Sequence, residues 1–419
     1  MLNLVSSLKE STQEIQSALD EIVHKGAVKM LQAALEKEVA DYIERHKSET
    51  DENGHRQVVR NGKSKSRSVT LSSGTAEVQA PRVNDKRKGE KFESSILPPY
   101  VRRSPKVESL LPVLYLKGLS TNDFKEALTE FLGEGASGLS SSSIASLKKQ
   151  WRQEFEQWKR QKITKRYAYI WADGVNVQVR LGEDKKLCLL VVMGADEQGQ
   201  KDILAVQAGY RESKDSWLEV LRDLKQRGLQ QPLLAIADGA LGFWAALREC
   251  DGFQKTPEQR CWVHKIANVL DRLPQRLQRD AKKHLHEMMR AESYQSSKEA
   301  FHEFKKVYEA KYPKVVECLE KDWTELTAFY SFPARHWQHI RSTNPIESSF
   351  ATIKLRTRIT KGAGNTDVAE TMAYKLLTEC KKGWRRLRGF RDIGKLFQGI
   401  EYKDGVMIPE TSNQEVAVS

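Results

Sequence analysis

A multidomain α/β protein is the fold class that this sequence predicts, and three observations predict it. Strand-like patterning is confined to a short region within residues 68–79 and a longer one from Tyr167 to about Arg260. Most of the remaining chain carries apolar residues at helical spacing. At 419 residues and 39% hydrophobic composition, the chain is long enough for two or three domains with folded cores. The net charge of +13 points to a polyanionic partner, most simply nucleic acid. Cysteines at 188, 250, 261, 318 and 380 are odd in number and lack paired metal-finger spacing, which fits a reducing cytoplasm better than a disulfide scaffold. Met1–Val5 lacks a signal peptide's basic-then-apolar pattern, and no stretch approaches a bilayer-spanning length. A cytoplasmic protein with no membrane partner is expected.

Residues 1–46 read as helix, with a break expected near Gly26. Ile15, Leu19 and Ile22, then Leu31, Leu35, Val39 and Ile43, recur at helical spacing. From Arg56 to Lys91 ten basic residues face three acidic ones, Arg60 and Lys63 among them. Within this stretch Ser68–Leu71 and Ala76–Gln79 predict a hairpin, and a flexible basic linker is the alternative. Three helices are expected between Ser104 and Lys162. The first runs to Gly118, with Pro112 inside it. The second is capped by Ser120 or Thr121 and passes through Phe124, Leu128 and Phe131 to Gly133. The third follows Ser140–Ser143 and carries Lys148 and Lys149. Helix, short turn, helix is the outline of a helix-turn-helix, shared with small bundles.

From Tyr167 the texture changes. Strands are expected at 167–173, 175–181, 186–194 and 202–209, the first two read as one strand bent at Asp173-Gly174. A helix at 214–227, a strand at 232–238, a helix at 241–248 and a short strand before Arg260 follow. Three meandering strands, then helix, strand, helix, strand is the order of a ribonuclease-H-like mixed sheet. Residues 265–331 read as all-helical, another helix starts at Pro345, and a basic helical tail runs to about Gly399.

Two strands run into Asp-Gly, at Asp173-Gly174 and Asp238-Gly239, and Glu347 opens a later helix. Asp-Gly is ordinary turn chemistry, but two aspartates on adjacent strands about 5 Å apart can share a cation. Asn344, Pro345 and Glu347 also fit a capping box, with Asn344 as N-cap. Against plain capping, Lys354 and Arg358 fall within about 20° of the Glu347 face, placing bases beside an acid on one stripe. Three carboxylates suit a hard divalent cation. Cys261-x-x-His264 is half a zinc pattern without a second pair, so a structural or positioning role is expected. Trp244, Trp262, Trp323 and Trp337 could stack on bases or fill cores. Thirteen basic against six acidic residues between Lys354 and Asp404 suggest phosphate contact.

Several segments together resemble the Mutator-type transposases of bacterial insertion sequences. They are Arg60-Asn61-Gly62, Tyr115 to Thr121, Asp173-Gly174, Ala237 to Trp244, Arg260 to Lys265, and Thr343 to Ser348. The resemblance implies a DDE transposase with Asp173, Asp238 and Glu347 as catalytic metal ligands for two Mg2+ ions, Mn2+ able to substitute. Lys354 matches the base that follows the family's glutamate, and Cys261 and His264 match its Cys-x-x-His. It further implies a ribonuclease-H-like core at 165–264 and 340–362, an all-helical insertion at 265–339, and a basic helical region at 363–400 before a tail at 401–419. Ahead of these stand an N-terminal helical region at 1–50, a basic linker with a hairpin at 51–103, and a helix-turn-helix-like domain at 104–162. The partners implied are double-stranded DNA, as terminal inverted repeats and target, and at least a second copy of the chain. Arg60, Lys63, Lys148, Lys149, Lys354 and Arg358 are the candidate DNA contacts. A catalytically silent DNA-binding regulator and a nuclease that cuts without joining are the competing readings.

Overall fold

A computed structural model of the protein describes residues 2–119, 141–180, 186–209, 211–239 and 241–409, with the side chains of 2–17, 141–143 and 241 left aside. The chain divides into two compact units, residues 1–150 and 151–419.

In the first unit, α1 (Leu2–Arg45) is one uninterrupted helix. The break expected at Gly26 does not occur. A lone glycine costs a helix only about 1 kcal/mol relative to alanine, and good helix formers surround it. Four short strands follow: β1 (Val58–Lys63), β2 (Arg67–Leu71), β3 (Gly74–Val78) and β4 (Pro81–Asp85). The predicted hairpin is β2–β3, with Leu71 opposite Gly74 and only two residues between them. Gly74 sits at φ 121, a conformation that favours glycine. β1 pairs antiparallel with β4. Leu35 of α1 packs with Val69, Ala76, Val78 and Leu97, so the basic stretch is folded onto α1. Helix α2 (Pro105–Lys117) opens with proline in its first turn, contains Pro112 and stops at Gly118, φ 121. The second helix expected here, from Ser120 or Thr121 to Gly133, lies outside the described residues. Helix α3 (Ser141–Arg160) runs across the division between the units.

The second unit is built on a five-stranded mixed sheet of order β7-β6-β5-β8-β9. Strands β5 (Tyr167–Gln178), β6 (Lys186–Asp196) and β7 (Lys201–Gly209) form an antiparallel meander. Helix α4 (Lys214–Gln226) leads to β8 (Leu234–Ala237), and helix α5 (Leu241–Glu249) leads to β9 (Glu258–Arg260). Both β8 and β9 run parallel to β5. Asp173 lies inside β5, not at a strand end, because pairing with β6 continues through Asp173↔Val191 to Gln178↔Lys186. Ile170, Ala172, Ala235 and Ala237 face one side of the sheet and meet Trp217, Leu221, Phe243 and Leu247 of α4 and α5.

After β9 come α6 (Trp262–Leu270), α7 (Gln275–Arg290), α8 (Tyr294–Tyr308), α9 (Pro313–Glu320), α10 (Trp323–Thr327) and α11 (Trp337–Ile340). Helix α12 (Asn344–Ile359) packs on β5, and α13 (Thr366–Lys381) packs on β7. The basic tail expected as helix is interrupted. Helix α13 ends at Lys381, and only a short α14 (Ile393–Phe397) follows, before β10 (Tyr402–Lys403) and β11 (Val406–Met407). Glycines at 383 and 389, the latter at φ 79, break the repeat. Lys381 pairs with Asp202 at 2.6 Å and Lys382 with Glu379 at 2.7 Å, so part of that basic run is engaged within the unit. No helix among the described residues is long and apolar enough to cross a membrane.

The helices after β9 are tied to the sheet edge through buried polar contacts. Gln259 donates to Leu326 O at 3.0 Å and accepts from Phe329 N at 2.8 Å. Trp262 Nε1 donates to the same Leu326 O at 2.7 Å. Trp262 and Trp244 are buried, and Trp323 stands edge-on to Trp262 with Phe301 stacked on it. Trp337 donates to Phe332 O at 2.8 Å. These tryptophans are packing and hydrogen-bonding elements of the fold. Asp322 receives both Arg260 and the 1%-exposed Lys265. Removing one partner of a buried ion pair strands the other charge, at a cost of about 3–5 kcal/mol. Asp322→Ala is therefore expected to lose stability on that scale in denaturant unfolding, and a loss below about 1 kcal/mol would contradict this role.

Candidate active site

The parallel pairing of β5 with β8 sets Ala172 opposite Ala237. The next residues, Asp173 and Asp238, are therefore neighbours across strands that stand about 5 Å apart. Ile170, Ala172, Ala235 and Ala237 point toward α4 and α5, so strand alternation turns both aspartates to the opposite side, the side on which α12 packs. Each carboxylate accepts the N–H of its own following glycine, at 2.8 Å for Asp173 and 2.6 Å for Asp238.

Neither glycine serves a positive-φ turn. A Cβ at Gly174 would run into the Glu212 carboxylate, and one at Gly239 into the Arg260 guanidinium. The glycine after each aspartate thus makes room for a neighbouring charged side chain, and the turn explanation of Asp-Gly does not apply.

Glu347 arrives from the first turn of α12. The N-cap is Thr343, one residue earlier than the capping box predicts, its own side chain makes no capping hydrogen bond, and the Glu347 carboxylate bonds its hydroxyl. The Thr343 N–H donates to Cys261 Sγ at 3.3 Å, a distant residue that takes over half of the expected box. The Thr343 hydroxyl lies 3.2 Å from Cys261 Sγ and 3.4 Å from His264 Nδ1, and also bonds the Glu347 carboxylate. Cys261, fully buried, is itself the N-cap of α6, and His264 sits in that helix's first turn.

His264 stands between two of the acids. Its Nδ1 is 3.8 Å from Asp238 Oδ1 and 3.7 Å from Glu347 Oε1. A hydrogen bond to Cys261 and the nearby Asp238 and Glu347 charges outweigh burial and lift its pKa to about 9, so the ring is a cation at neutral pH. Burial raises the Asp173 carboxyl to about 7; His264 lowers it, while Glu347 and Glu212 push it up. Burial and the Asp238 charge raise Glu212 as well.

Glu212 is the acid that sequence reasoning misses. It lies in the connection between β7 and α4, after Arg211 at φ 56, and no strand or helix pattern marks it. An open groove of about 1090 Å³ borders it, lined by Asn176, Gln178, Lys186, Cys188 and Arg211 among others.

The carboxylate oxygens of Asp173, Asp238 and Glu347 suit a hard divalent cation, and the raised Asp173 pKa reflects first the burial of its carboxyl. Cys261, His264 and Glu347 also bring one ligand-type atom each within 4.8 Å of the others. That soft donor set is nearer to zinc chemistry, and Cys261 Sγ also accepts from Thr343.

The other candidates are spread more widely. Lys354 and Arg358 are exposed on α12, along the helix from Glu347. In the first unit, Arg60 and Lys63 both pair with Glu36, Lys63 at 3.3 Å. Lys148 and Lys149 are exposed on α3, with Lys148 over the Tyr115 ring.

A description of the Transposase, Mutator family matches residues 2–387. The chain is 44% identical over 303 residues to the transposase for insertion sequence element IS6120 of Mycolicibacterium smegmatis, covering 72% of this chain and 93% of the relative. It is 44% identical over 283 residues to the transposase for insertion sequence element IST2 of Acidithiobacillus ferrooxidans, covering 67% and 95%. The transposase for IS256 in transposon Tn4001 of Staphylococcus aureus is 25% identical over 386 residues, covering 89% and 95%.

The electrostatics can be tested without chemistry. In chelator-treated protein, His264 should titrate near pH 9 by NMR. Glu347→Gln removes one of the anions that favour imidazolium, so the pKa should fall. An unmoved value would contradict the proximity described above.

Proposed function

Because the chain belongs to the Mutator family of transposases, we propose that it binds the terminal inverted repeats of its insertion sequence, cleaves those DNA ends and joins the 3′ hydroxyls to target DNA. The observation that carries this reading is the convergence of Asp173 and Asp238, from adjacent parallel strands, with Glu347 from a helix on the same side of the sheet. The order β7-β6-β5-β8-β9, a three-stranded antiparallel meander extended by two parallel strands, supports a ribonuclease-H-like core. The helices between β9 and α12 then occupy the place of an insertion between the second aspartate and the glutamate.

In this reading Asp173, Asp238 and Glu347 are the ligands for two divalent cations. Bound there, magnesium, or manganese in its place, would activate the attacking oxygen and neutralise the leaving one. The residues of the chain supply alignment. Water attacks the phosphodiester at the element's end and a 3′ hydroxyl leaves; that hydroxyl then attacks a target phosphodiester in line and displaces a target 3′ oxygen. Catalysis of this kind rests on holding reactants in register and on fixed charge. Cys261 positions Thr343 at the start of α12, and through it the Glu347 carboxylate. His264 offers a fixed positive charge beside the reacting phosphate. Lys354 and Arg358 extend the same helix with exposed cations for the DNA backbone, while Lys148 and Lys149 belong to a proposed helix-turn-helix-like end-binding region. Arg60 and Lys63, tied to Glu36, would reach DNA only by exchanging that partner for phosphate. Pairing two DNA ends calls for at least two copies of the chain.

The test is cleavage and strand transfer on a labelled element end with a target plasmid and magnesium. Wild type should cut and join. Asp173→Asn, Asp238→Asn and Glu347→Gln should each bind the end and yield no product above background. Binding without chemistry in wild type as well would favour a silent DNA-binding regulator, and cutting without joining of a pre-cut end would favour a nuclease. Lys354→Gln and Arg358→Gln should each weaken binding about equally on any sequence and reduce the salt dependence by roughly one ion.

A further inference from the structure

Helix α7 (Gln275–Arg290) has a face that none of the preceding roles uses. Its buried side is Ala281, Leu285 and Met288. At 100° per residue, Arg276, Arg279, Lys282, Lys283, His286 and Arg290 all fall within about 60° of one direction, opposite that buried side. The row is about 21 Å long. Its five Lys and Arg residues are exposed. Five of the six, all but Arg276, line a shallow open groove whose one acidic lining residue is Glu287.

The cations of this row are not spent on the fold. Among the described residues, the ion pair formed by the row is Lys283 with Asp280 at 3.3 Å, both more than 60% exposed, and such a pair is weak and screened. His286 is held below its ordinary pKa first by burial and then by the Arg290 and Lys282 charges.

The row also leads toward the candidate active site. At its C-terminal end, Arg341 Nη1 donates to Met289 O at 2.9 Å, and Arg341 O accepts from Trp262 N at 3.0 Å. Arg341 stands two residues before Thr343, whose hydroxyl bonds Glu347.

We propose that this exposed face of α7 binds the phosphate backbone of duplex DNA, independently of sequence, alongside the DNA engaged at the Asp173–Asp238–Glu347 site. The inference rests on the transposase reading and adds a contact surface to it. A regular row of cations, one or two per helical turn, suits a partner that carries one charge per about 1.7 Å of axis, because any register meets phosphates. An acidic protein surface would have to match the row carboxylate by carboxylate. Side chains that reach only phosphates position DNA without reading it.

The experiment is equilibrium binding of the full chain to two fluorescent duplexes of equal length, one carrying the element's end and one its scrambled sequence, across a series of KCl concentrations. Each phosphate contact contributes about 0.9 to the slope of log K against log salt. The variant R276Q/R279Q/K283Q/R290Q should therefore flatten the slope by about 3 to 4 on both duplexes, with the affinity ratio between them unchanged. The variant R276K/R279K/R290K should keep the wild-type slope. An unchanged slope in the glutamine variant, with an unchanged melting temperature, overturns this inference alone. So does a flattening confined to the end-bearing duplex, or an equal loss in the lysine variant. Equal binding of polyglutamate, lost in the same variant, would assign the face to an acidic protein and overturn it too. Failure of wild type to bind either duplex overturns this inference and the transposase reading together.

Discussion

The arrangement of the second unit depends on one register, the parallel pairing that sets Ala172 of β5 against Ala237 of β8. The small, buried alanines let α4 and α5 pack closely on one side of the sheet through Trp217, Leu221, Phe243 and Leu247. On the other side, the same alternation turns Asp173 and Asp238 toward α12. Slipping the register by one residue would turn one aspartate into the hydrophobic core. The cost of burying an unpaired carboxylate there is what makes the register specific.

A second constraint holds the third acid. Cys261 sits at the start of α6 and accepts the N–H of Thr343 at the start of α12. One thiol thereby ties two helix N-termini together, and the Thr343 hydroxyl passes the placement on to Glu347. His264, one turn into α6, is carried into position between Asp238 and Glu347 by the same junction. The Cys-x-x-His spacing is the spacing of a cap and a first-turn residue on one helix.

The charges around this junction are deliberately unequal in their partners. Arg260 and Lys265, which flank the Cys261–His264 segment in sequence, both pair with Asp322. His264 stands 3.8 Å from Asp238 and 3.7 Å from Glu347, and the rise of the Asp173 and Glu212 pKa values follows first from burial and then from neighbouring acids. Exposed cations stand on α12, at Lys354 and Arg358, and along the outer face of α7.

The sequence by itself determined the elements that local pattern controls: the meander and its following strands, the β2–β3 hairpin with its two-residue turn, the helix stop at Gly118, and the helical stretch after Arg260. Alternation, helical periodicity and turn residues act over a few positions, so they are legible without the fold. Local pattern also drew attention to Asp173, Asp238 and Glu347, through the strand-Asp-Gly repeat and the acid at a helix start. Only the tertiary structure decided how these residues meet. It showed Asp173 inside a strand, because β6 continues past it, and it moved the α12 cap to Thr343, because a cysteine more than eighty residues away supplies the acceptor. It also brought in Glu212 from a connection with no periodicity, and assigned Trp262 to packing. Contacts between residues far apart in sequence carry no short-range period, and that is the physical reason they had to wait for the fold.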